Sequence, residues 1–177
     1  MTQDLLVSPF SVGLPLLLAA TDTFWEFAGQ SGHVLALGLA AFGSAVGIGL
    51  AGQAAAGAWA KEARAGRNLS FTYIILVGMP ISQTLYAMIV MNNMARVFSE
   101  SPAVAAANAG LMLGIGIATG LGELLSAWMQ GMIGAAGIRA LSDSEGKGRA
   151  FIIIAMGIAE TVGIFTLAFL LGMIPSA

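Results

Sequence analysis

Two long stretches of this sequence carry no formal charge, residues 27–60 and residues 68–95. Each exceeds the roughly 20 apolar residues that cross a bilayer as a helix. Two further apolar stretches follow. One runs from Glu100 to a basic cluster beginning at Arg139 and is broken only by Glu123. The other runs from Arg149 to the last residue and is broken only by Glu160. Charged residues make up 9% of the 177, against about 25% in a soluble domain. That excludes a soluble enzyme, and seven Lys and Arg leave no basic patch for nucleic acid. With no cysteine and one histidine, His33, neither a disulfide framework nor a histidine metal cluster can form within one chain. An integral membrane protein remains.

The charge gaps predict an all-α membrane protein with four transmembrane helices, at roughly 32–60, 70–97, 104–140 and 149–173. The basic clusters Lys61–Arg67 and Arg139–Arg149 fall in the first and third loops. The positive-inside rule makes that side cytoplasmic, with both termini and the Ser99–Pro102 turn outside. Asn68 or Ser70 is the expected cap of the second helix. Residues 32–100 form a first helical hairpin and residues 101–177 a second. Residues 1–31 stand apart. Leu5–Ala20 is apolar, but it is short and contains Pro9 and Pro15. It reads as an extracytoplasmic extension of the first helix or as a weak signal-like segment. The aromatic residues Phe24, Trp25 and Phe27 read as an interfacial anchor.

The hairpins repeat with an offset of 77, as Gln53 and Gln130 show (130 − 53 = 77). Gly43 matches Gly120, and Met79–Thr84 aligns with Met156–Thr161. Gln83 thereby falls opposite Glu160 (160 − 83 = 77). Both hairpins start on the same side, so the duplication is parallel. The first and third helices are rich in glycine at small-xxx-small spacing, as at Gly43/Gly47 and Gly116/Gly120, which lets backbones approach closely. The second and fourth carry larger side chains. The expected arrangement has a tight inner layer and a bulkier outer one.

A carboxylate at membrane depth is costly and marks function. Glu160 lies about 11 residues into its helix and Gln83 about 13 into its own, near mid-bilayer at about 1.5 Å per residue. Gln130 falls at a similar depth. Met79, Ser82, Gln83 and Tyr86 share one helix face by their i, i+3, i+4 and i+7 spacing, and Pro80 frees a backbone carbonyl. One carboxylate, two amide oxygens, a hydroxyl and a carbonyl suit a small monovalent cation. A proton needs only the carboxylate, and a divalent ion wants more negative charge.

With these features the chain resembles the ring-forming proteolipid of V/A-type rotary ATPases, the duplicated c-type proteolipid known in bacteria as the K subunit. The resemblance covers about residues 33–174. It rests on Met79-Pro80-x-Ser82-Gln83-x-x-Tyr86, on Gln130-Gly131 with Ala135–Ile138, and on Glu160-Thr161. It implies a closed ring of identical copies that carries sodium, or less favourably protons, one ion per chain. The implied ligands are the Met79 carbonyl, Ser82, Gln83, Gln130 and Glu160, with Tyr86 hydrogen-bonding the carboxylate. Serine stands at 82 where the family usually has threonine, and methionine at 79 where it has leucine; both keep the ligating atom. The implied partners are a stator membrane subunit bearing an arginine, the central-stalk subunits and lipid. Catalysis falls to other subunits, no cofactor beyond bound sodium is implied, and the implied location is a prokaryotic cell membrane. Glu123 is a secondary candidate that the repeat does not predict, because its counterpart is Val46 (123 − 77 = 46). The rival reading is a small secondary cation transporter with a midplane carboxylate, although such folds more often use inverted repeats and broken helices.

Overall fold

Inside a bilayer no water meets backbone N–H and C=O groups, so an apolar spanning segment satisfies them within a helix. The computed structural model describes residues 9–176, with side chains from Asp22 onward. Its elements are α1 (Pro9–Arg64), α2 (Thr72–Gly78), a 3-10 turn (Met79–Ile81), α3 (Ser82–Glu100), α4 (Pro102–Ala107), α5 (Ala109–Asp143) and α6 (Arg149–Leu171). No strand occurs among the described residues. Among the described residues four spans are long and apolar enough to cross a membrane: Asp22–Arg64, Thr72–Glu100, Ala109–Asp143 and Arg149–Leu171. The chain is an all-α, multi-pass membrane protein built from two hairpins.

Several boundaries differ from those expected. α1 begins at Pro9 and continues without a break into the span expected at 32–60, so residues 9–31 are helical. Its 56 residues make it about 84 Å long at about 1.5 Å per residue, well beyond a bilayer's thickness. Residues 5–8 of the apolar N-terminal segment lie outside the described residues. Neither Asn68 nor Ser70 caps the second span; Phe71 holds the N-cap position without a side-chain bond. Ser70 is engaged elsewhere, its N–H donating to Glu62 Oε2 at 3.0 Å and its carbonyl accepting from Trp59 Nε1 at 3.0 Å. The second span tightens to 3-10 geometry at Pro80, which has no N–H to donate in an α-helix. The turn between the two hairpins shrinks to Ser101, and the third span is interrupted at Asn108, whose amide donates to the Val104 carbonyl at 2.8 Å.

Both basic loops close at the same end of the bundle. In the first, Gly66 adopts φ +66° and the Arg67 N–H reaches back to the Glu62 carbonyl at 2.9 Å. In the second, Glu145 takes φ 56° and the Gly146 N–H bonds the Leu141 carbonyl at 2.8 Å. These six-to-one bonds satisfy helix-end carbonyls in the Schellman manner. The loops are tied together by a Lys61–Asp143 ion pair and by Arg67 Nη1 donating to the Ser142 carbonyl at 3.1 Å. Beneath them Glu62, almost fully buried, accepts from Tyr73 Oη at 2.5 Å.

α1 and α5 form the tightest pair. A Cβ at Gly116 would stand 1.9 Å from the Gly32 carbonyl oxygen, and one at Gly131 would stand 2.2 Å from Gly47 Cα. Lipid supplies no hydrophobic drive between helices, so this backbone proximity supplies dispersion contact instead. α6 lies against α5 and α3 and turns Phe151, Ile154, Ile158, Val162, Phe165 and Phe169 outward. Small residues thus hold the α1–α5 pair together, while bulky apolar residues face away from it on α6, as the expected layering requires within one chain.

Candidate ion-binding site

The 3-10 turn sets the first side of the site. It brings the Met79 carbonyl under Ser82, which donates to it from both its backbone N–H and its hydroxyl, the latter at 3.1 Å. Ser82 Oγ also lies 3.2 Å from Gln83 Oε1. Gln83, fully buried, donates from Nε2 to Gln130 Oε1 and to Ser126 Oγ, both at 3.2 Å. One turn further along α3, Tyr86 Oη donates to Glu160 Oε1 at 2.9 Å.

α5 and α6 supply the rest. Gln130, also fully buried, donates from Nε2 to the Met156 carbonyl at 3.1 Å and to Glu160 Oε2 at 3.4 Å. Ser126 Oγ donates to the Ala159 carbonyl at 2.9 Å. Three helices therefore converge on one carboxylate. Met79, Ser82, Gln83, Tyr86, Gln130 and Glu160, all singled out in the sequence, fall into one continuous hydrogen-bonded network. Each glutamine uses its amide at both ends, so neither is a spare polar group left in the bilayer.

Ser126 escaped the sequence reading. It lies four residues before Gln130 on the same face of α5, and that spacing is the signal that marks it. The repeat gave no help, because its counterpart is Gly49 (126 − 77 = 49). Replacing Ser126 by alanine leaves a Gln83 N–H and the Ala159 carbonyl each short of a partner. We expect this to cost about 1–3 kcal/mol, seen as a lower thermal midpoint of the purified protein. An unchanged midpoint would show that the two bonds contribute nothing.

Glu123 stands outside the network. It is fully buried, and neither carboxyl oxygen has a hydrogen-bond partner. Arg96, His33, Trp128 and Gln53 lie away from the network. Arg96 pairs with Glu100 at 3.4 Å on the exposed C-terminal end of α3, and His33 packs against Phe98 with ring centroids 5.5 Å apart. Trp128 is exposed and Gln53, the repeat counterpart of Gln130, faces outward from α1.

Among the described residues no group of three or more acidic, His or Cys residues is arranged to hold a metal ion. Such groups suit multivalent metals, whereas the network around Glu160 offers one charge and several neutral oxygens. Chemically it can hold one positive charge against a carboxylate in a low-dielectric setting, and release it when the carboxylate is offered another partner.

A family model for the ATP synthase C subunit matches the chain twice, over residues 32–92 and over residues 113–173. The first match contains Met79, Ser82, Gln83 and Tyr86, and the second contains Glu123, Ser126, Gln130 and Glu160. No curated protein matches the chain.

Proposed function

The chain belongs to the ATP synthase C-subunit family, and on that premise we propose that it is the duplicated, sodium-carrying rotor subunit of a V/A-type rotary ATPase. Members of this family are membrane proteolipids that translocate ions without catalysing the ATP reaction, and they form rings with other subunits of the synthase. The observation that carries the finer reading is the network around Glu160. A proton carrier needs one carboxyl group, and every additional buried polar group costs desolvation. Ser82, Gln83, Gln130 and the Met79 carbonyl are explained if they ligate an ion that binds through several oxygens.

In this reading Glu160 supplies the charge and Tyr86 steers it by donating to Oε1. Gln130 presents its amide nitrogen to Glu160 in the present arrangement; a half-turn of the amide about Cγ–Cδ exchanges that donor for the acceptor Oε1, at the cost of its bonds with Gln83 and Met156. Sodium binding would couple to that turn. The neutralised site crosses lipid as the ring rotates, because no bare charge is exposed. A stator arginine then competes for the carboxylate and releases the ion into an access channel. The basic loops face the cytoplasm by the positive-inside rule and meet the central stalk. The setting is a prokaryotic cell membrane. The parallel repeat and the two family matches favour this reading over a small secondary transporter.

A hydrophobic carbodiimide attacks a protonated buried carboxyl and should modify Glu160. Sodium holds the carboxylate ionised, so added sodium should slow that labelling severalfold at neutral to mildly alkaline pH. Protection should fade as pH falls, because protons compete for the same oxygens. Gln130→Ala should demand more sodium for the same protection. Labelling at one rate with and without sodium would sink the sodium assignment. Mass measurement in detergent tests the ring: a stable monomer or dimer would exclude it.

A further inference from the structure

Glu123 is a fully buried carboxyl to which the rotor reading gives no task and which, unlike Glu62, has no hydrogen-bond partner among the described residues. Both its oxygens are enclosed and without a hydrogen-bond partner, at bilayer depth on α5. Among the described residues Lys61 and Arg96 are the basic groups in ion pairs, with Asp143 and Glu100, and none pairs with Glu123. The other ionisable groups of this seam are Glu160 on α6 and Tyr86 on α3, which bond each other. An uncompensated carboxylate in hydrocarbon is not sustainable. Something positive therefore accompanies Glu123, and none of the described side chains supplies it.

The space around this carboxyl is made for it. A Cβ at Gly163 would lie 2.5 Å from Glu123 Oε2 and 3.2 Å from Ser126 Oγ. The repeat shows that the accommodation is paired. In the first hairpin the corresponding positions hold Val46 and Tyr86 (123 − 77 = 46; 163 − 77 = 86). There the inner helix carries the short apolar residue and the outer helix the long one. In the second hairpin the inner helix carries the long carboxyl and the outer helix has no side chain at all. Two departures from the repeat thus combine to admit one acidic group.

Further oxygens lie along the same stripe of α5. Ser126, three residues on, is shared with the Glu160 network through Gln83 and the Ala159 carbonyl. Thr119, four residues back, is buried with its hydroxyl unpartnered. Spacings of three and four residues keep all three side chains on one face. From this we infer that Glu123 is the carboxyl of a second monovalent-cation site, holding a proton or a sodium ion beside the ion on Glu160. The inference rests on the chain being an ion-carrying rotor subunit. Each chain would then hold two positive charges rather than one, and if both exchange at the stator, each turn of the ring would move twice as many ions.

The test counts charges on the purified intact protein at saturating sodium and neutral pH. Bound radioactive sodium per chain gives one number, and the infrared carbonyl band of protonated carboxyl groups gives the other. The expected sum is two per chain. A sodium count of two, falling to one in Glu123→Gln, identifies sodium as the second occupant. A sodium count of one with a protonated-carboxyl band that vanishes in Glu123→Gln identifies a proton. A sum of one in the unaltered protein overturns the inference, as does a sum of two that Glu123→Gln leaves unchanged. The unaltered protein carries the count by itself, so a variant that fails to assemble does not remove the test. Failure of the rotor reading looks different. If sodium is absent and Glu160→Gln changes neither number, the Glu160 assignment falls, whatever Glu123 holds.

Discussion

Glu160→Gln should reduce ATP-driven ion uptake into vesicles to background while leaving the protein assembled at its normal mass. The amide has nearly the shape and volume of the carboxylate, so the seam between α5 and α6 has no reason to open. Its Oε1 still accepts from Tyr86 Oη, which now lies 2.9 Å from the carboxylate. In that orientation its nitrogen would meet Gln130 Nε2, now 3.4 Å from Glu160 Oε2; a half-turn of the new amide instead lets its oxygen accept from Gln130 Nε2 and its nitrogen donate to Tyr86 Oη, and keeps the bonds of Gln130 to Gln83 and Met156. What disappears is the charge. In the proposed mechanism a neutral site has nothing for a stator arginine to compete for, and it would hold an ion only through dipoles. Transport in that mechanism depends on cycling between an ion-filled and an ion-free carboxylate, so the loss should be complete rather than graded. Normal uptake by the variant would remove Glu160 from the mechanism.

The site was legible in the sequence because intramembrane polar residues are rare and expensive. Glu160 and Gln83 interrupt apolar stretches, and each such interruption demands an explanation. Helical spacing then grouped Met79, Ser82, Gln83 and Tyr86 on one face, and the structure brings all four to the same network. Residues hidden by small size were missed. Ser126 looks like many serines of transmembrane helices; its spacing from Gln130 marks its face, but its role emerges from its bonds with Gln83 and the Ala159 carbonyl. Glu62 was passed over for the opposite reason. Among Lys61, Arg64 and Arg67 it reads as one charge in a solvated loop, yet it is buried beneath Ser70 and Tyr73. Helix ends were the least legible. α1 extends about six turns ahead of the membrane span read at 32–60, counted at about 3.6 residues per turn, because apolar composition marks where a helix crosses a membrane and not where it stops. The tightening at Pro80 was foreseeable from its missing N–H.

Gly131→Ala should destabilise the protein far more than its single methyl group suggests, by about 1–3 kcal/mol or more. The added Cβ would stand 2.2 Å from Gly47 Cα, 2.3 Å from its carbonyl oxygen and 2.5 Å from its carbonyl carbon. All three are backbone atoms of α1, so no side chain can swing aside. The helices must separate or slide, and the whole α1–α5 seam moves with them. Gln130 precedes Gly131 directly, so the movement reaches the proposed ion site as well. Its bond to Glu160 is already the longest of the network at 3.4 Å and should be the first lost. A lower thermal midpoint should therefore come with weaker sodium protection of Glu160. Gly78→Ala supplies the contrast. Nothing lies within 4 Å of a Cβ there, and Gly78 sits on the outward stripe with Ile74, Ile81 and Leu85. Alanine is the better helix former by about 1 kcal/mol, so that midpoint should hold or rise. Equal midpoints for the two variants would mean that α1 and α5 are not held at backbone contact.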